Sequence, residues 1–293
     1  MEFQIAQYRP SGRFRVTVVP LLAVAAGAVG LLAWVYQLLN GVIPFIVLNL
    51  LTLAGFTLAT VLIGSSVVHR AHVRNRRVGA LVGLLVAGSG LSASYFWMYR
   101  AAVSDLLAEN PGVTREDVEA ELPFARWINF RVESGWTLSR HGRDGGNLSG
   151  PFVYILWGLE ALIVLGATAL VTTGASAEPY CEDCKAWMPA KKTRVLGVGR
   201  ADVEPLLQLG DLARVVSLEA PENAQRSRWI SLDAESCPNC GRTYLSVSES
   251  EETVDRKGKT SIRTQSIASH LELGLKQAEQ LKARVSGGAQ KAA

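Results

Sequence analysis

Charge is scarce over a long early part of this chain: between Val16 and Tyr99 almost every charged residue falls in one short segment, His69–Arg77. That scarcity excludes an ordinary soluble domain there, because a water-facing helix or strand needs a polar face. Cysteine is missing until Cys181, so no disulfide framework holds the first part together. Acids are missing from the apolar stretches except for Glu160, and no lysine or arginine lies inside them. An internal repeat is also missing, which fits poorly with the repeat-built plans of transporters. A net charge of +4 is too small to argue for nucleic acid. A cleavable signal peptide is not expected. The first apolar stretch, from near Val16 to about Leu39, exceeds a signal core of about 7–15 residues, and another follows almost at once.

What is present divides the chain. The averages of 48% hydrophobic and 19% charged describe neither half, since charges become frequent beyond Ala177. Crossing about 30 Å of hydrocarbon takes about 20 apolar residues in a helix. Four stretches are long enough: Val16–Leu39, Val42–Val68, Val78–Tyr99 and Phe152–Thr173. Only Asn40 and Gly41 separate the first two, which predicts a tight helical hairpin, with Pro44 in the first turn of the second helix.

Arginine bias gives the spans a direction, because short cytoplasmic loops are enriched in Lys and Arg. The N-terminal arm holds Arg9, Arg13 and Arg15 against Glu2. The second loop holds Arg70, Arg74, Arg76 and Arg77 with no acid, and is read as a topology-setting segment touching anionic headgroups. The third loop, Arg100–Gly150, holds six Arg against eight acids. Both termini are therefore expected in the cytoplasm, with the third loop outside, in the plasma or inner membrane. Trp34, Tyr36, Tyr95, Phe96, Trp97, Tyr99, Tyr154 and Trp157 all fall toward the outer interface on this reading.

Glu160 is the sharpest feature inside the spans. A carboxylate in hydrocarbon must be neutral, paired or facing water. Counted from the outer ends, Glu160, Asn49 and Ser92 fall at one level, roughly 10–12 Å deep, which predicts an intramembrane polar cluster. It serves either as a relay or ligand site or as a hydrogen-bonded clasp fixing helix register. Gly79, Gly83 and Ala87, spaced by four, and the pair Ala23 and Gly27 predict close helix packing within the chain. In the outer loop Thr114 is a helix cap followed by Glu116 and Asp117. Val113, Val118, Leu122, Phe124, Trp127 and Phe130 form a small apolar cap or lie on the membrane surface. Ser139–Gly150 reads as irregular loop, and Glu133, His141 and Asp144 as scattered charge.

The four cysteines occur as two pairs, Cys181-Glu-Asp-Cys184 and Cys237-Pro-Asn-Cys240. Two residues between thiolates let a tight turn aim both sulfurs at one ion, and two such turns complete a tetrahedral site. Gly241 suits a turn needing positive φ. Residues 180–245 resemble the zinc ribbon class. The resemblance implies one structural zinc held by Cys181, Cys184, Cys237 and Cys240. Two departures accompany it: Lys185 stands where Gly usually follows the first pair, and a long insertion separates Cys184 from Cys237. Two disulfides, a redox dithiol, or unliganded thiols are the other readings. A cytoplasmic tail favours reduced thiols.

The rest of the tail patterns as mostly β, with strands at Thr193–Val198, Arg228–Leu232, Thr243–Val254 and Thr260–Ile267. The last two are joined by a hairpin turn at 255–259. Leu245 and Val247 share one face, Ser246 and Ser248 the other. Asp202–Val215 reads as a helix in the insertion and Leu271–Val285 as a closing helix, with 286–293 a disordered end. Lys191, Lys192 and Arg194 lack stacking aromatics beyond Trp187, so they read as a solvated face rather than a nucleic-acid site. The expected architecture is an all-α membrane domain over 1–175, its outer loop at 100–150. A cytoplasmic, mostly-β, zinc-ribbon-like domain follows over 178–285. The leading functional reading is non-enzymatic: a metal-stapled docking or assembly module held at the lipid bilayer for a cytoplasmic protein partner. The alternatives are a membrane enzyme or transport component using Glu160 with the outer loop, and a cysteine-based redox sensor.

Overall fold

The apolar stretches fold as long helices in a computed structural model of the chain, which describes residues 6–42, 46–140, 143–222, 227–254 and 258–290. In chain order α1 is Val18–Val42, α2 Ile46–Arg70 and α3 Arg76–Glu109. A short α4 (Arg115–Glu121) and α5 (Phe124–Ser134) follow, then a hairpin of β1 (Trp136–Arg140) and β2 (Arg143–Leu148), then α6 (Pro151–Ala175). Among the described residues, α1, α2, α3 and α6 are long and apolar enough to cross a membrane.

Three boundaries differ from expectation. Asn40 and Gly41 are helical, because α1 runs on to Val42; the connection at 43–45, with Pro44, lies outside the described residues. Helix α3 has 34 residues and runs ten beyond Tyr99. Nothing in Arg100–Glu109 breaks a helix, whereas Pro111 drives Asn110 out of it. Ser139–Gly150 is largely β-hairpin rather than irregular loop. Its second strand, Arg-Asp-Gly-Gly-Asn-Leu, is built from residues depleted in strands, so pairing with β1 rather than propensity makes it. At α4 the expected cap is present. Thr114 Oγ1 accepts from the Asp117 N–H, and the Asp117 carboxylate accepts from the Thr114 N–H and hydroxyl, which holds its pKa below the usual range. Trp127 packs on Tyr99 and Val103 beneath this cap, while Phe130 stays exposed.

Glycine sets the helix packing. A Cβ on Gly83 would meet the Ala169 Cα at 2.8 Å and the Thr168 carbonyl at 2.9 Å; one on Gly79 would meet the Thr172 carbonyl at 2.8 Å. These glycines let α3 press against α6. Gly64 of α2 meets the Thr168 and Thr172 methyls from another side. Both threonine hydroxyls bond back to carbonyls of their own helix, so no donor is stranded there. The Ala23 and Gly27 pair does not pack: both are exposed, and Gly27 has open space beside it. Helix α1 packs instead through Ala25, Val29, Ala33 and Tyr36.

The chain divides into two compact units. Ser11–Ala177 forms one; the described residues of Met1–Pro10 join those of Glu178–Ala293 in the other. The second unit contains β3 (Tyr180–Cys181), β4 (Ala186–Trp187), β5 (Ala190–Leu196), α7 (Arg200–Gln208), α8 (Leu212–Ser217), β6 (Arg228–Ser236), β7 (Thr243–Val254), β8 (Thr260–Glu272) and α9 (Leu275–Gln290). Strands β5-β6-β7-β8 form an antiparallel sheet in that order. Leu245 and Val247 turn inward with Ile230, Leu232 and Leu271, and Val203, Leu207, Val215 and Leu281 of the helices cover them. The helix expected at 202–215 is two helices, because Gly210 at φ +74 ends the first and Asp211 caps the second. The closing helix starts later and runs further than expected. Leu271 is fully buried in β8, and 286–290 are helical; 291–293 lie outside the described residues. Of the expected hairpin turn, 255–257 are likewise outside them, while Val254 and Thr260 pair.

Candidate metal centre

The two cysteine pairs occupy matching turns. Cys181 ends β3 and the turn returns through β4; Cys237 follows β6 and the turn returns through β7, with the Cys237 N–H donating to the Arg242 carbonyl at 2.8 Å. The residue after each pair takes the left-handed conformation, Lys185 at φ +54 and Gly241 at φ +76. Lys185 therefore makes the same turn as a glycine would, at a cost of about 1–2 kcal/mol.

These turns bring all four sulfurs within 4.8 Å of one another, with Cys181 Sγ and Cys240 Sγ 3.6 Å apart. A tetrahedron with metal–sulfur bonds of about 2.3 Å has edges of about 3.8 Å, so the spacing suits one ion at its centre. Backbone donors fit it too. Burial opposes ionisation of Cys237, but the N–H groups of Cys240 and Asn239 aim at its sulfur and bring its pKa down to about 7. Burial likewise raises Cys181, partly offset by the Cys184 N–H. Hydrogen bonding to Cys240, then burial, push Cys184 up to about 12. Four crowded thiols resist ionising together unless a cation compensates, and a bound divalent metal is such a cation.

The surroundings hold this arrangement. Cys181 and Cys237 pack with Met188, Tyr244 and, from the N-terminal arm, Tyr8. The Tyr8 N–H donates to the His270 carbonyl at 2.9 Å, and Gln7 bridges to Leu271, so the arm lies along the end of β8. Arg242 pairs with Asp183 at 3.3 Å, and Lys282 donates to the Gly241 carbonyl at 2.9 Å. These cations stand beside a centre that would carry net negative charge when filled. Elsewhere in the unit Lys192 pairs with Asp233 and Arg194 lies over the Trp229 ring.

The polar residues of the helices are arranged differently from the expected trio. Glu160 accepts a hydrogen bond from Tyr36 at 3.1 Å. Ser92 is exposed, and Asn49 makes no side-chain bond to Glu160 among the described residues. One turn of α1 instead reaches all three other helices. Tyr36 bonds Glu160 of α6, Gln37 donates to Ser94 of α3, and Asn40 accepts from Thr52 of α2. Tyr36, expected only in an interfacial belt, and Gln37, not expected at all, both belong to this set. The available signal was the run of polar atoms at 36, 37 and 40 in an apolar helix. Of the charged residues of the outer loop, His141 lies outside the described residues.

Fold and site thus define a class of protein: an apolar four-helix bundle joined to a sheet domain with a four-cysteine, metal-compatible centre. No family model matches the chain, and no curated protein or solved structure does either.

Proposed function

We propose that the chain is an integral membrane protein whose second unit carries one structural zinc on Cys181, Cys184, Cys237 and Cys240 and serves as a docking module for a cytoplasmic protein partner. The observation that carries this reading is the closed donor set: four sulfurs facing one point, on two turns of the same form. Zinc would supply the positive charge that keeps four thiolates together and would tie turns that are distant in the chain. The chain's own residues do the rest. Backbone N–H groups hold the sulfurs in register, Tyr8, Met188 and Tyr244 exclude water, and Arg242 and Lys282 offset the excess negative charge. Four protein ligands leave no open position for substrate, which favours a structural role over catalysis. A rigid, metal-tied surface suits recognition, and the pairing of Gln7 with Leu271 supports an N-terminal arm on the same side of the bilayer as the tail. Glu160 belongs to the clasp: its bond to Tyr36 joins α6 to α1.

The test compares the full chain with the Cys237→Ser/Cys240→Ser variant, both isolated from native membranes. A partner that accompanies the first and is lost from the second, with both chains still membrane-integrated, supports docking through the metal module. Recovery of the same partner with both ends that reading.

A further inference from the structure

Between Glu2 and Asp105 the chain has no acidic residue, and before Lys185 it uses arginine and never lysine. Beyond that point lysine and arginine are mixed, so the early exclusion of lysine is local to the first unit. The fold of that unit gathers its early arginines. The Arg74 N–H donates to the Arg13 carbonyl at 2.8 Å, the Gly12 N–H to the Arg74 carbonyl at 3.0 Å, and the Arg15 N–H to the Ala71 carbonyl at 3.2 Å. Asn75 Nδ2 bonds the Gly12 carbonyl while its Oδ1 caps α3. The arm at 12–15 is thus laced to the loop joining α2 and α3.

This lacing holds Arg13, Arg15, Arg70, Arg76 and Arg77 together and exposed, and none has a carboxylate partner among the described residues. The arrangement breaks local rules. Arg76 and Arg77 sit in the first turn of α3 with no acid there, where the helix dipole disfavours cations. His72 stands beside them at φ +49, and burial together with Arg15 and Arg74 holds it below its ordinary pKa. Like charges fixed by backbone bonds at a positive helix end are unfavourable unless an anion is bound.

We propose that these arginines form a binding platform for the phosphates of anionic phospholipid headgroups. The platform lies beside Val18, Arg70 and Arg76, the ends of three apolar helices, and that is where headgroups stand. Arginine's planar fork takes a phosphate through two hydrogen bonds, which lysine cannot do. A loop that only set topology would need charge alone. The inference rests on the membrane reading and is independent of the metal and of docking.

Native mass spectrometry of the full chain in detergent, titrated with phosphatidylglycerol or phosphatidylcholine, tests it. Membrane integration is checked separately by alkaline extraction, so failure of the membrane reading is seen by itself. The expected result is selective retention of phosphatidylglycerol, weakened about fivefold for each of Arg13, Arg15, Arg76 and Arg77 changed to Gln. The all-lysine variant, R13K/R15K/R70K/R76K/R77K, keeps the charge and its insertion but should lose most of the selectivity. Equal retention of both lipids would overturn the proposal. So would an all-lysine variant that binds like the parent, or displacement of the lipid by millimolar inorganic phosphate, which would point to a soluble ligand.

Discussion

Glu249 shows how a single residue is held by opposing effects. Its side chain is largely buried, which opposes ionisation, yet it accepts from the Arg200 N–H at 2.9 Å and from Arg228 Nε at 2.7 Å. These outweigh burial and hold its pKa below the usual carboxylate range. A depressed native pKa adds stability above the unfolded value, about pH 4.3, and that stability is lost as pH falls through the native value. Glu249→Gln should therefore destabilise the second unit at neutral pH by about 1 kcal/mol or less, since Arg228 is half exposed. The difference should shrink as pH falls below the unfolded value. A thermal melt of both chains across pH checks this, and a constant difference would mean that charge is not the cause. Gly241, at φ +76 directly after the second cysteine pair, makes a sharper case. Gly241→Val should cost about 1–2 kcal/mol and weaken metal retention, measured as the chelator concentration that releases the ion.

At the scale of elements, the four apolar helices were legible because hydrophobic length is a strong signal. The strand faces of Leu245 and Val247 were legible because alternation has period two. Helix ends were less so. Asn40-Gly41 looks like a turn, but α1 stays helical through both residues to Val42. Spacing by four identified Gly79 and Gly83, yet the same spacing at Ala23 and Gly27 led nowhere, because sequence spacing does not say which face meets a neighbour. The two faces should therefore respond differently. Gly83→Leu should cost about 2 kcal/mol or more by driving α3 from α6, while Gly27→Leu should be close to neutral. Resistance of the bundle to detergent-induced unfolding reads both, and equal effects would contradict the packing described.

At the scale of the whole molecule, the cysteine pairs were legible from spacing alone. The Lys185 departure leaves the form of the turn unchanged, since the residue adopts the left-handed conformation that glycine would. What spacing did not reveal was the N-terminal arm, whose Gln7 and Tyr8 belong to the second unit. No local pattern in so short a polar segment announces a bridge to a strand more than 260 residues away. That bridge predicts topology. Reporter fusions at the N-terminus and after Ala293 should report the same side of the membrane, as an even number of spans requires; opposite sides would break both the bridge and the four-span account.

The proposed structural zinc would be held by two matching turns. Metal analysis of the purified full chain, combined with thiol titration, tests it most directly. About one zinc per chain is expected, with Cys181, Cys184, Cys237 and Cys240 unreactive until a chelator is added. Iron in its place, or four freely reactive thiols in a second unit that remains folded, would contradict it.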